Sequence, residues 1–422
     1  MILFSHPTGN ANVRYAALGL QQAGLLGEFW TCLNARPDSP LARLLPGSLA
    51  KQLNRRSFPP ALQPYLKSHP WREISRLLAP RLKLGNLARH EKGILSVDAV
   101  YQSLDRRVSR RVRAKSGFSG VYAYEDGAAF TFREAKNRGL KCFYDLPIGY
   151  WRAARTLLLE EAEREPAWAS TLIGNEDSEA KTARKDEELA LADTVFVASS
   201  YTLQTLAQVP HLRAPVVVLP YGAPPRPLHA PRRLTREPNG RLRAIFVGSL
   251  GQRKGLSYLF DACRSLGSGV ELTVIGTPPL EPCRALNDEL KRVRWIPSCP
   301  HAQVLEEMAT HDVFVFPSLF EGFGLVLLEA MAMGLPVITT AHTAGPDLMT
   351  DGKEGFIVPI RSAAAIEEKL DLLRKEPERI EAMGSRAAAR ASTFTWEAYG
   401  SRLAAKVAEA CQPVPQPGLV RA

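Results

Sequence analysis

FVFPSLFEGFGLVLLEAMAMGLPVITT, residues Phe314 to Thr340, decides how this chain is read. It opens as an apolar strand (Phe314 to Phe316), crosses a loop bearing Glu321, turns on Gly322 to Gly324 and enters a helix carrying a second acid, Glu329. Gly334-Leu-Pro and another apolar strand follow. A strand, a glycine turn and a helix N-terminus form an anion site. The first-turn N–H groups have no intrahelical acceptor, and the helix dipole adds positive potential. Glu321 and Glu329 have seven residues between them. The first lies at the loop tip. The second lies about one and a half turns into the helix, where a carboxylate can accept two hydrogen bonds from a vicinal diol. For either acid alone the plainer reading is favoured: Glu321 as a partner of the positive helix end, Glu329 as an ordinary helix residue. Together, phosphate donors, a diol acceptor and a further carboxylate point to a nucleotide-sugar pocket.

Outward from this stretch, strand-like and helix-like segments alternate, the pattern of parallel sheets with crossover helices. The first half gives strands at Ile2–Ser5, Glu28–Leu33, Val121–Glu125, Cys142–Asp145, Thr194–Ala198 and Val216–Leu219, with helices such as Ala128–Asn137 and Asp177–Ala192 between them. Pro220, Pro224, Pro225, Pro227, Pro231 and Pro238 then mark a stiff linker or hinge. The second half restarts the alternation. Its strands are Ala244–Val247, Glu271–Ile275, Phe314–Phe316 and Val337–Thr339, and its helices Leu256–Leu266, Ala302–Thr310, Ala363–Lys375, Glu376–Ser392 and Trp396–Ala410. The expected organisation is an N-terminal domain over 1–220, a linker over 221–240, a C-terminal domain over 241–394, a helix over 395–411 crossing back to the first domain, and a disordered tail over 412–422. Ligands of doubly wound sheets bind at the carboxyl ends of strands, so the pocket belongs in the cleft between the domains.

With 422 residues and 45% apolar content, the chain suits two or three globular domains. No run of about 18 apolar residues marks a membrane span. MILFSHPTGN reads as a first core strand, not a signal peptide. Six cysteines without CxxC spacing, and eight histidines without HExxH, predict neither a disulfide framework nor a metal site and fit a reducing cytosol. The net charge of +11 is uneven: Leu41 to Lys115 holds 17 Lys plus Arg against 4 Asp plus Glu. This basic insertion, about 36–115, includes Arg55, Arg56, Arg72, Arg76, Arg81, Lys83 and the run Asp105 to Lys115, interleaved with Phe58, Tyr65, Trp71, Ile74, Leu77 and Leu78. Such a mixture suits an anionic membrane surface or an anionic lipid-linked substrate; a solvated arginine-rich face is the plainer alternative. Nucleic acid fits the charge, but no zinc finger, RNA-recognition signature or recognition-helix pattern is present, so no nucleic-acid partner is expected.

A second phosphate element, Val247-Gly-Ser-Leu-Gly-Gln-Arg-Lys-Gly255, lies between a strand and a helix. Gly248 and Gly251 permit close backbone approach, and Arg253 and Lys254 supply charge for a diphosphate. The order GSLGQRKG, VIG (Val274 to Gly276), PSLFEGFGLVLLEAMAMGLPVI, Gly345-Pro-Asp347 and DGKEGFIV (Asp351 to Val358) resembles the retaining GT-B glycosyltransferases of family 4, also called group 1. The resemblance covers roughly residues 240–400. It implies an α/β fold of two Rossmann-like doubly wound domains facing across a cleft, the C-terminal one holding a nucleoside diphosphate sugar. By that resemblance Arg253 and Lys254 bind the donor diphosphate, and Glu329 holds the ribose hydroxyls. Glu321 contacts the sugar or stabilises charge at its anomeric centre, and the backbone of Gly322, Phe323, Gly324 and Leu325 caps the phosphates. Gly248 and Ser249 line the same site. It also implies that no metal or cofactor is required.

The chain departs from the family pattern in places. Ser249 stands where relatives carry Arg, with Arg253 as a substitute, and Pro220-Tyr-Gly222 replaces Pro-Asn-Gly. The strand end Tyr122 to Gly127 lacks the expected His, so Glu125, Asp126 or Asp145 is the candidate for that space; an Asp N-cap of the next helix is the other reading of Asp126. Gly9 and Asn10 fit a loop near the donor phosphate and acceptor, and His6 reads as a local hydrogen-bonding residue. The acid-rich runs Glu160–Glu165 and Arg184–Glu188 read as solvated helix faces. The expected reaction is hexose transfer with retention to a glycan or lipid-linked acceptor, in surface polysaccharide or glycolipid assembly, by a cytoplasmic protein, peripheral on the inner membrane face. The alternatives are a nucleotide-sugar epimerase of the same architecture and a non-catalytic nucleotide-sugar-binding scaffold. The donor's base and sugar are not readable.

Overall fold

A computed structural model describes residues 1–35, 56–80, 82–172, 177–225 and 240–412. Arg55, Arg81, the later part of the proline-rich segment (226–239) and the tail 413–422 lie outside the described residues.

Strands β1 (Ile2–Ser5), β2 (Leu26–Thr31), β3 (Leu66–Ser68), β4 (Gly120–Tyr124), β5 (Lys141–Leu146), β6 (Thr194–Val197) and β7 (Val216–Val218) form a parallel sheet in the order β3-β2-β1-β4-β5-β6-β7. Strands β8 (Leu242–Val247), β9 (Val270–Ile275), β10 (Arg294–Ile296), β11 (Val313–Phe316), β12 (Val337–Thr340) and β13 (Gly355–Val358) form a second, in the order β10-β9-β8-β11-β12-β13. ILFS in β1, GVYAY in β4 and VFVF in β11 are buried at every position. Continuous burial without alternation is what a sheet covered by helices on both faces demands. Sequence periodicity finds the inner strands within one or two residues and misses β3, β10 and β13. All three lie at sheet edges; β3 and β10 are three residues long and mostly exposed, whereas β13 (GFIV) is apolar and reads in sequence only as part of the DGKEGFIV motif.

In the first half the helices are α1 (Ala11–Gln22), α2 (Trp71–Leu78), α3 (Val97–Ala114), α4 (Ala129–Asn137), α5 (Trp151–Arg164), α6 (Glu179–Leu191) and α7 (Ser200–Thr205). In the second they are α8 (Leu256–Leu266), α9 (Arg284–Leu290), α10 (His301–Ala309), α11 (Leu325–Ala332), α12 (Gly345–Leu348), α13 (Ala363–Lys375), α14 (Pro377–Ala391) and α15 (Trp396–Cys411). The halves exchange arms. α15 returns to α1 so closely that a Cβ on Gly19 would sit 2.1 Å from the Gly400 carbonyl oxygen, and Trp396 stacks on Tyr15 at 4.9 Å. In the other direction, α5 and the 3-10 turn Pro166–Thr171 lie on the second half: Trp168 stacks on Phe260 at 6.0 Å, and Cys283 Sγ donates to the Ala167 carbonyl at 3.3 Å.

This arm corrects the reading of Glu160–Glu165 as a solvated face, because Glu161 is wholly buried against the second half. Glu188 is likewise buried, its carboxylate accepting from the N–H groups of Asp126, Ala128 and Ala129 at 2.9, 3.0 and 3.2 Å. Charge alone cannot tell a solvated acid from one that satisfies orphan backbone donors. The basic insertion is also partly closed on itself. Arg56 and Arg76 clamp buried Glu73 at 2.6 and 2.8 Å, while Arg111 and Lys115 clamp buried Glu28 at 2.5 and 3.1 Å. Phe58, counted among its apolar anchors, is core.

Candidate functional site

In each sheet one strand has neighbours from opposite directions of the chain, which opens a crevice at its carboxyl end. In the second sheet that crevice lies between β8 and β11. The loop after β8 carries Gly248, Ser249 and the 3-10 turn Gln252–Lys254; the loop after β11 carries Glu321 to Gly324. The two loops are tied together by Leu319 N–H donating to the Arg253 carbonyl at 2.9 Å and Ser318 Oγ to the same oxygen at 3.2 Å. Ser249 stands exposed at the tip.

At the centre Lys254 Nζ donates to Glu321 Oε2. Arg253 Nη1 donates to the Phe320 carbonyl at 2.6 Å and to Glu321 Oε1 at 3.3 Å. Burial alone would raise the Glu321 carboxyl, but the charges and hydrogen bonds of Lys254 and Arg253 outweigh it and hold it below its ordinary range. Desolvation pulls the Lys254 ammonium down to about 8; Glu321 opposes this and neighbouring Arg253 adds to it. One carboxylate between two cations leaves the cluster with one net positive charge, beside the N-terminus of α11.

That N-terminus needs its glycines. Gly324 takes φ +80° at the N-cap position, a left-handed conformation that strains any residue with a Cβ. A Cβ on Gly322 would lie 1.9 Å from the Pro147 carbonyl oxygen. The Gly322 carbonyl accepts from Ser199 Oγ and from Thr202 Oγ1 at 2.9 Å. Phe323 is buried, its ring 5.0 Å from that of Tyr221, and half-buried Leu325 opens the helix. The turn is therefore gripped by first-half loops that follow β5 and β6. Neither Ser199 nor Thr202 carries a sequence signal beyond lying at a strand end. Further along α11, Glu329 Oε1 pairs with His301 Nε2 at 2.8 Å, and this bond raises the His301 pKa. Sequence reading missed His301, which comes from the start of α10 and has no motif around it.

The first sheet's crevice lies between β1 and β4. Gly9 is buried against Phe58, whose ring a Cβ would meet at 2.7 Å, and Asn10 is exposed at the head of α1. His6 is buried; Thr8 N–H donates to its Nδ1 at 3.0 Å, and desolvation lowers its pKa to about 4. After β4, Glu125 and Asp126 face α6. Lys185 Nζ lies 3.5 Å from Glu125, 3.9 Å from Asp126 and 3.0 Å from Asp177, and Lys181 and Arg184 approach Asp126 at 3.8 and 3.7 Å. Burial raises the Glu125 carboxyl against the pull of Lys185. Asp126 does not cap α4. It takes φ +71°, Ala128 holds the N-cap position, and Glu188 and Asp105 satisfy the first-turn donors. Asp145 is buried, accepts the Tyr122 hydroxyl at 2.6 Å and is pushed up to about 7 by burial.

Among the described residues one trio, His90, Glu91 and Asp177, brings three metal-ligating atoms within 4.8 Å, but Lys181 and Lys185 already share Asp177. All six cysteines are free thiols. No helix among the described residues is long and apolar enough to cross a membrane.

Comparison with known proteins bears on these loops. Residues 232–390 match the family model described as glycosyl transferases group 1. The chain is 30% identical over 205 residues to a phosphatidyl-myo-inositol mannosyltransferase of Mycobacterium leprae, covering 46% of this chain and 54% of that one. It is 33% identical over 138 residues to the amylovoran biosynthesis glycosyltransferase AmsK of Erwinia amylovora, covering 30% and 34%. The matched stretch thus spans about half the length of these curated relatives, or less. Over nearly the whole chain the fold is like that of Anabaena HepE, solved with UDP-glucose: TM-score 0.61, 15% identity, coverage 97% and 99%. The architecture is GT-B.

Proposed function

With residues 232–390 belonging to the glycosyl transferases group 1 family, we propose that the chain transfers a hexose from a nucleoside diphosphate sugar to an acceptor hydroxyl, with retention of anomeric configuration, in surface polysaccharide or glycolipid assembly. The observation that carries this reading is the Glu321 carboxylate held between Arg253 and Lys254 at the head of α11, with Glu329 further along the same helix. Arg253, Lys254 and the first-turn N–H groups around Gly322 to Leu325 hold the diphosphate and neutralise it as it leaves, so the reaction needs no metal. Glu329 accepts the ribose hydroxyls. Glu321, kept ionised by its two cations, lies by the sugar and stabilises positive charge at the anomeric carbon. The acceptor enters from the first half and attacks from the face of the departing diphosphate, whose oxygen takes the proton. Anabaena HepE, solved with UDP-glucose, supports a donor of this class.

The basic insertion has a role in this reading. Trp71, Leu78, Leu82, Leu84, Ile94 and Val97 are exposed among exposed Lys83, Arg89 and Lys92. Apolar side chains ringed by cations fit an anionic membrane surface, where a lipid-linked acceptor resides. Binding to anionic but not neutral liposomes, weakened by Trp71→Ser with Ile94→Ser, tests it; equal binding by the variant refutes it.

A panel of UDP-, GDP-, ADP- and dTDP-sugars tests the main reading, with thermal shift and diphosphate release measured on wild type and Glu329→Ala. Stabilisation by one nucleotide, lost in the variant, is expected. No shift with any donor overturns the reading.

A further inference from the structure

We propose that Glu161, on α5 of the first half, is a positioning residue for the diphosphate-binding turn of the second half. The proposal rests on the donor reading above and adds to it the group that sets where Arg253 and Lys254 point.

Arg253 and Lys254 share a three-residue turn with Gln252, which is wholly buried. Gln252 is fastened from the other half of the chain. Its backbone N–H donates to Thr171 Oγ1 at 2.9 Å, and its Nε2 donates to Glu161 Oε1 at 2.8 Å. Its Oε1 accepts from Ser257 N–H at 3.1 Å, which carries the restraint into the first turn of α8. Glu161 Oε1 also accepts from the Tyr258 hydroxyl at 2.8 Å, and Oε2 from Arg361 Nε at 2.7 Å. Three second-half side chains therefore converge on one fully buried first-half carboxylate.

Arg361 shows how firmly this contact is set. It adopts φ +61°, a left-handed conformation costly for a residue with a side chain, and α5 holds it there. Its Nη1 donates to Glu160 Oε2 at 3.1 Å and its Nη2 to the Leu157 carbonyl at 3.0 Å. A rigid turn keeps two cations aimed at the phosphate site without reorganisation during the reaction. Since α5 follows the β5 loop that meets Gly322, one first-half segment touches both second-half loops that border the crevice. A mere interdomain clamp would share these contacts, but it would not control the reactivity of Lys254.

The test uses the full chain with Glu161→Ala, Glu161→Gln and, as a control on the same arginine, Glu160→Ala. Acetylation of Lys254 in the donor-free protein is followed by mass spectrometry against exposed Lys353 and Lys406. Binding of a nucleoside and its diphosphate is measured in parallel. Loss of the buried carboxylate is expected to speed Lys254 labelling at least about five-fold, through local opening of the turn. It should also weaken the diphosphate about ten-fold while leaving the nucleoside within about two-fold. Glu161→Gln, which keeps one acceptor oxygen, falls between, and serves alone if the alanine variant does not fold. Glu160→Ala behaves as wild type. Unchanged Lys254 labelling in a folded Glu161 variant, or equal weakening of nucleoside and diphosphate, overturns the proposal. A wild type that binds no nucleoside diphosphate overturns the donor reading alone, and the labelling ratio then decides the role of Glu161.

Discussion

The crevices at the carboxyl ends of the two sheets are built on the same plan and charged in opposite spirit. Between β8 and β11, two cations share one carboxylate beside a helix N-terminus, leaving an excess that an anion can take up. Next to the β1–β4 crevice, Glu125, Asp126 and Asp177 are matched by Lys181, Arg184 and Lys185, with Arg184 also held by Asp98. That network sets four carboxylates against three cations, so it holds no positive excess. It offers carboxylate oxygens, Asp126 Oδ1 among them buried without a hydrogen-bond partner, where the other crevice offers cations. A cationic excess selects an anion; a carboxylate-rich network suits the hydroxyls of a neutral polyol.

The sharpest way to break this contrast is to remove one cation from the unbalanced side. Lys254→Ala should lower diphosphate release by about 10²–10³-fold, the scale of losing one preorganised transition-state stabiliser. Asp126→Asn should leave donor binding within about two-fold and act on acceptor KM, since its charge is answered inside α6. Equal loss of donor binding in both, measured by calorimetry, ends the distinction.

Next in size is the grip between the halves. Gly322→Ala forces a Cβ against the Pro147 carbonyl, and should destabilise urea unfolding by about 1–3 kcal/mol, as overpacking does. A midpoint unchanged from wild type would mean the turn moves freely.

pH sharpens the contrast further. A bound diphosphate favours the Lys254 ammonium, whose pKa in the free protein is about 8. Donor affinity should hold below pH 8 and fall above it, by at most about ten-fold per unit, because binding then requires proton uptake. Lys254→Arg should flatten the profile between pH 7 and 9.5. A flat wild-type profile counts against Lys254 as a diphosphate ligand. The smallest effect belongs to His301→Ala, which removes an exposed partner of Glu329 and should change nucleoside affinity by about two- to five-fold. A loss as large as that of Glu329→Ala would make His301 a ligand in its own right.

What could be read from residues alone follows the same division. Glu321, Gly324 and Lys254 sit in short, ordered motifs because two short loops carry the whole cluster, and local constraint leaves a local signature. Glu161, Glu188, Ser199 and His301 act on partners from remote positions in the chain, 91 residues away in the case of Glu161 and Gln252. Nothing beside them in sequence reports that partner, so Glu161 reads as one acid in a charged run. The inner strands were legible because burial on both faces demands unbroken apolar runs. The edge strands β3 and β10, three residues long and mostly exposed, carry no such demand. Asp126 was legible as a strand-end acid, but its left-handed backbone was not.

The passing of α15 across α1 at Gly19 and Gly400 also bears on how the chain is made. On the ribosome, α1 emerges early, yet the surface it must cover is translated only after the entire second sheet. In the nascent first half that flank of α1 lacks its cover until residues 396–411 have been made. Synthesis order therefore puts the sealing of α1 after the making of the second sheet, whatever the equilibrium stability of either half.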